Sequence, residues 1–231
     1  MSKTLASLAA ACLLLLPVEA AGAAPIIPDR PSLSTGPEVL APGLLQLELG
    51  SRFTGGSGAT SGFEATQRFG LIPGLEFRVG MPLSVGAAQT SSSVSLGGKA
   101  QFLEGYLLSL GALGAVEMSP QGSNSQAAFL ATLGLPANFA LTVNAGPIWS
   151  GSLDWTGALL LAYDPGTLWQ GFVEVARYQD TAGSGMGLGA DMGLEVLVSE
   201  DVIWDLAVLK GLSPEVPEWG VTSGFSIRWG Q

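Results

Sequence analysis

The chain has 231 residues, a net charge of −10 with only 9 basic side chains, no histidine and a single cysteine, Cys12. The acidic balance argues against nucleic acid as a partner. Without histidine there is no Ser-His-Asp, Cys-His or Asp-His catalysis and none of the common zinc sites, and without a second cysteine there is no disulfide.

Residues 1–23 carry Lys3, an apolar run from Leu5 to Val18 and the small residues Ala21-Gly22-Ala23. This predicts a secretory signal for Sec-type export, cleaved after Ala23, rather than a membrane anchor. Cys12 falls inside it, so thiol chemistry goes as well. Residues 24–43 form a leader broken by Pro28, Pro31, Pro37 and Pro42. Proline favours extended backbone and cannot donate to a ladder. From residue 44 to the end, the chain reads as one unit of alternating strands.

The first strand is predicted over 44–54, where Leu45, Leu47, Leu49 and Phe53 alternate with Gln46, Glu48 and Arg52. Period-two segments recur near 62–70, 74–83, 92–102, 105–117, 125–135, 138–148, 153–163, 168–178, 186–198, 202–211 and 219–230. That is about twelve strands, each with one apolar face and one polar or glycine face. The pairs 105–117 and 125–135 are apolar or glycine on both faces, which leaves their register open. The connections look long after odd strands ("SVGAAQTSS", 84–92) and tight after even ones ("EG", 104–105).

Charged residues are only 12% of the chain, about half the share in an average soluble domain, and mean hydropathy is +0.41. Yet past the leading segment no apolar run is long enough for a helical span. Strands of about 10 residues instead suit a tilted transmembrane barrel. The expected fold is all-β: a transmembrane antiparallel up-and-down barrel, closed so that no strand edge meets lipid unpaired. Trp149, Trp155, Trp169, Trp204, Trp219, Trp229, Tyr163 and Tyr178 lie near segment ends and are expected to form aromatic girdles.

On the polar face sit Glu48, Arg52, Glu64, Arg68, Glu76 and Arg78 of the first three strands. Lys99, Glu174, Asp191, Glu195, Asp205 and Arg228 follow at the same parity. These twelve are the candidate lumen-lining residues. Glu48 with Arg52, Glu64 with Arg68 and Glu76 with Arg78 are the expected local pairs. Two roles are open to them: charge ladders that hold the wall together, or a path that selects what passes. Asp29 and Arg30 are the candidate plug residues of the leader. The glycine-rich "GSGMGLGADMG" lacks the strand–turn–helix context of a phosphate loop. No catalytic residue, metal ligand or cofactor is assigned.

The residues Asp29, Arg30, Pro31, Ser32, Pro37, Val39, Pro42, Gly43, Gln46, Leu47, Glu48 and Gly50 make up an opening pattern. "GLIPGLEFRVGMPL" (70–83) and the closing "VSEDVIWDLAVLKGLSPEVPEWGVTSGFSIRWG" (198–230) make up two more. Together they resemble the MetA-pathway-of-phenol-degradation family of Gram-negative outer-membrane transporters, with Pro28 where that family often has threonine. The resemblance implies an outer-membrane barrel that passes small hydrophobic or aromatic molecules. The expected partners are outer-membrane lipids and a small-molecule solute. The alternative is a closed structural or interaction barrel that works through its extracellular loops.

Overall fold

In the computed structural model the described residues are 26–56, 59–86, 90–120, 122–179 and 185–230. The expected signal segment, with Cys12, lies outside them.

The strands are β1 (Leu45–Gly55), β2 (Thr60–Ile72), β3 (Leu75–Gly80), β4 (Leu83–Gly86), β5 (Thr90–Ser92), β6 (Val94–Leu103) and β7 (Leu108–Ser119). They continue as β8 (Gly122–Leu135), β9 (Phe139–Trp149), β10 (Leu153–Tyr163), β11 (Trp169–Gln179), β12 (Met186–Ser199), β13 (Val202–Gly211) and β14 (Trp219–Trp229). β3 and β4 both pair with β2, so they form one stave interrupted at Met81-Pro82. Pro82 cannot donate a ladder bond, which accounts for the break. β6 and β5 pair with β3 and β4 and form a second broken stave. Fourteen strands therefore make twelve staves, the expected number.

Every neighbour in the wall is antiparallel and, broken staves apart, sequential. β1 closes the barrel against β14, from Leu45↔Trp229 to Gly55↔Trp219. Closure satisfies the backbone donors and acceptors that an open sheet would leave bare in lipid. β7 and β8 pair from Leu108↔Leu133 to Ser119↔Gly122, which settles their faces. Ser109, Gly111, Leu113, Ala115 and Glu117 point inward from β7, and Asn124, Gln126, Ala128, Leu130 and Thr132 from β8.

The expected contrast in connection length is small. The β7–β8 strands run on until only 120–121 separate them, and the opposite-end connections 104–107 and 164–168 are longer than predicted. Ladder pairing absorbed residues that composition had marked as loop.

The two faces have opposite chemistry. Outward positions such as Leu159, Val173 and Met192 are 52%, 51% and 57% exposed. Inward positions carry most of the charges, and Glu76, Asp205, Arg68 and Lys99 are all at most 1% exposed; Arg177 and Lys210 are at outward parity, near the extracellular ends of β11 and β13. A soluble barrel would invert this arrangement; a barrel solvated by acyl chains requires it. Trp149, Trp155 and Trp219 ring one end of the outer face. Tyr163, Trp169, Trp204 and Trp229 ring the other, where Tyr163 lies tilted against Phe139 and edge-on to Trp169 at centroid separations of 4.9 and 6.0 Å. Tyr178 is the exception: its strand parity turns it inward, where its ring occupies the space a Cβ at Gly189 would need.

An even number of staves puts both chain ends at one rim. By the rule for such barrels that rim is periplasmic and the other extracellular.

Candidate functional site

The leader does not hang from the rim. It rises along the inner wall, crosses the lumen at mid-depth and returns. Near the periplasmic rim the Ile27 carbonyl accepts from Gln46 Nε2 (3.2 Å) and Arg68 Nη1 (2.8 Å). Higher up, Leu33 N donates to Glu174 Oε2 of β11 (2.7 Å). Thr35 is held from both sides by Asn144 of β9: its N–H donates to Oδ1 (2.8 Å) and its carbonyl accepts from Nδ2 (2.9 Å). On the return, Pro37 packs where a Cβ at Gly111 would stand. Leu40 N donates to Glu76 Oε2 (3.0 Å), and Gly43 N to the Gly70 carbonyl (2.9 Å). Gly43 has φ +84°, a turn conformation open to glycine, and it feeds the chain into β1.

Two adjacent leader residues meet the wall charges. Asp29 lies among three cations: Lys99 Nζ at 3.0 Å, Arg78 Nη1 at 2.8 Å and Arg68 Nη1 at 3.6 Å. Burial opposes its ionisation, but Arg68, Lys99 and Arg78 outweigh burial and hold its carboxyl well below the usual carboxylate range. Glu38 is the reverse case: burial pushes its carboxyl up. Arg30 Nε and Nη2 donate to Asp205 Oδ2 and Oδ1, both at 3.3 Å, Nη2 also donates to Thr222 Oγ1 (3.0 Å), and Nη1 pairs with Glu64.

The other candidates fall into three groups. Glu48 does not rely on its in-strand neighbour as expected; it takes Arg68 Nη1 at 2.9 Å and the Asp29 backbone N–H at 3.2 Å. Arg68 likewise reaches across to Glu76 rather than along β2 to Glu64, and Arg78 approaches Glu76 only to 3.7 Å. Side chains on neighbouring staves are closer than same-face residues along one strand. Glu195 and Arg228 sit toward the periplasmic rim, where Gln170 Nε2 donates to Glu195 Oε2 (2.7 Å) and Arg228 pairs with Asp201 (2.8 Å). Arg52 and Asp191 line a narrow gap beside Pro31 and Leu33. Asp191 is the register partner of Glu174. Each of these two carboxylates has one buried oxygen, Asp191 Oδ1 and Glu174 Oε1, with no hydrogen-bond donor.

Sequence reasoning missed Asn144, Thr222 and Gly111. Only Asn144 left a signal: a lone amide at inward parity in the apolar run "FALTVNAGPIW".

Charge is unevenly distributed around the lumen. β1–β3, β6 and β11–β14 carry the ionic side, whereas β8 and β9 carry none. Against this neutral side, on the extracellular side of the leader, lies a cavity of about 280 Å³. Leu113, Leu130 and Ile148 give it an apolar wall, Asn124, Gln126 and Thr156 supply polar atoms, Glu117 and Arg177 add one charge of each sign, and Leu33 and Thr35 of the leader form part of its lining. Among the described residues no group of His, Cys, Asp or Glu is arranged to hold a metal ion.

A closed twelve-stave barrel with a lipid-facing apolar band and a charged interior is an outer-membrane β-barrel. Its fold matches that of solved outer-membrane channels. The COG4313 outer membrane channel from Pseudomonas putida F1 superposes with a TM-score of 0.64 at 12% identity, over 86% of this chain and 100% of that one. The KdgM porin in complex with disordered oligogalacturonate gives 0.60 at 9% identity, over 80% and 99%. The NanC porin gives 0.57 at 9% identity, over 81% and 99%. At these identities the likeness is one of fold. No protein-family model matches the sequence, and neither does any curated protein.

Proposed function

We propose that the chain is a non-enzymatic outer-membrane channel for small solutes, closed in this state by its own leader. The observation that carries the reading is the cavity of about 280 Å³ on the extracellular side of the leader, with a half-apolar lining whose two charges, Glu117 and Arg177, are of opposite sign. An engineered cavity of about 150 Å³ lined by Leu, Ile and Phe takes up benzene, so this one has room for a substituted single ring. Amide and hydroxyl groups on one side favour a solute that is apolar with a polar handle. The resemblance to the phenol-degradation transporters supports the same class, hydrophobic or aromatic. In this reading Asp29 and Arg30 are the plug and the wall charges are its sockets.

The test is solute flux and conductance of the full-length protein in planar bilayers and liposomes. Wild type should conduct weakly, and Arg30→Ala, which unlatches the leader, should conduct several-fold more. A single-ring aromatic alcohol should permeate faster than a sugar of equal size. Bilayers silent for both proteins would overturn the channel reading. They would favour a closed structural barrel, for which the buried cross-links of Arg68 to the staves on either side of its own are the supporting feature.

A further inference from the structure

The place that holds Arg30 is shaped by the wall. Gly50 of β1 and Gly224 of β14 face one another in register, and a Cβ on either would run into the guanidinium. Asp205, on β13, is wholly buried and offers both carboxylate oxygens, one to Nε and one to Nη2. Thr222 Oγ1 takes a second bond from Nη2, and Glu64 stands on Nη1. The acceptors match a planar fork of donors; a primary ammonium is a compact point charge that cannot span them. All of these groups belong to the wall strands β1, β2, β13 and β14, and none to the leader.

We infer that the lumen contains a guanidinium-recognition site, which Arg30 fills in the closed state and which takes guanidinium-bearing solutes once the leader withdraws. One residue away, Lys99, Arg78 and Arg68 surround the Asp29 carboxylate. A solute with a carboxylate close to its guanidinium therefore meets both poles. Use of the site in transport rests on the reading that the leader leaves the lumen, but the site itself is testable separately.

The experiment uses full-length Arg30→Ala in detergent micelles, titrated with ethylguanidinium or ethylammonium far below denaturing concentrations. Arg30→Ala should unfold at a lower temperature than wild type. Ethylguanidinium should restore most of that midpoint and saturate; ethylammonium should not. Adding Asp205→Asn should abolish the restoration. Equal responses to the two cations, no response, or restoration that survives Asp205→Asn would overturn the site. If Arg30→Ala does not assemble, the same titration applies to Arg30→Lys, whose ammonium is the poorer occupant. Conductance of the same variants separates the two ideas. Selective binding in a silent barrel would refute the channel and keep the site; an open barrel without selective binding would do the reverse.

Discussion

Arg68 clasps Glu76 with two parallel hydrogen bonds, Nε to Oε1 and Nη2 to Oε2, each 2.8 Å long. The third guanidinium nitrogen holds Glu48 and the Ile27 carbonyl. One side chain thus ties β1, β2, β3 and the leader together, out of contact with solvent. Removing one partner of a buried pair strands the other, typically at about 3–5 kcal/mol. Arg68→Ala should lose stability on that scale in urea unfolding from lipid vesicles, and Arg68→Ala with Glu76→Ala should lose less than the two single changes added together. Full additivity would mean the clasp carries no coupling.

Leader docking should depend on pH through two carboxyls of opposite sense. An undocked Asp29 titrates near about pH 3.9, and docking lowers its pKa. Its contribution is therefore full above that value and is lost as pH falls below it. Docking raises the pKa of Glu38, so its contribution is full below the ordinary glutamate range and is lost as pH rises. Conductance should increase on acidification below about pH 4. Glu38→Gln should lower the residual conductance at neutral pH. An acid response in the Asp29→Asn variant as large as in wild type would refute the assignment.

Gly50→Ala tests the latch without changing any charge. The nearest atoms to the added methyl are all of the Arg30 guanidinium, so the leader loses its socket while the wall keeps every ion. Conductance should rise toward that of Arg30→Ala, with the unfolding midpoint of the barrel little changed. A variant as quiet as wild type would show that the guanidinium fits elsewhere.

Asp191→Asn should stabilise the barrel. Its amide supplies the donor that Glu174 Oε1 lacks, and a satisfied buried acceptor is typically worth about 1 kcal/mol. Urea unfolding should shift upward by that order; a downward shift would mean the acid pair is held by other means.

The barrel was legible because its rule is local. A period of two, an apolar face and turn residues specify a strand whichever strand it pairs with, so β10, β12 and β13 begin where the alternation predicts. Pro82 breaks its stave for an equally local reason. The partners inside the lumen were not legible. Asp29 meets Lys99 across 70 residues and Arg30 meets Asp205 across 175, and a single sequence holds no term linking positions so far apart. Parity could say that these side chains share the interior but not which of them touch. Tyr178 shows the limit of reading aromatics by position alone: it lies at a strand end like the girdle residues, but on the other face.

The Arg30 socket also bears on how the barrel is assembled. Its parts come from the first two strands and the last two, so it does not exist until the seam between β1 and β14 has closed. A slip of one residue at that seam would turn Gly224 outward and bring a bulkier neighbour into its place. The leader can then dock only in a barrel whose final strand has joined its first in the correct register. The leader precedes every strand in the sequence, yet its socket is complete only once the last strand has joined the first.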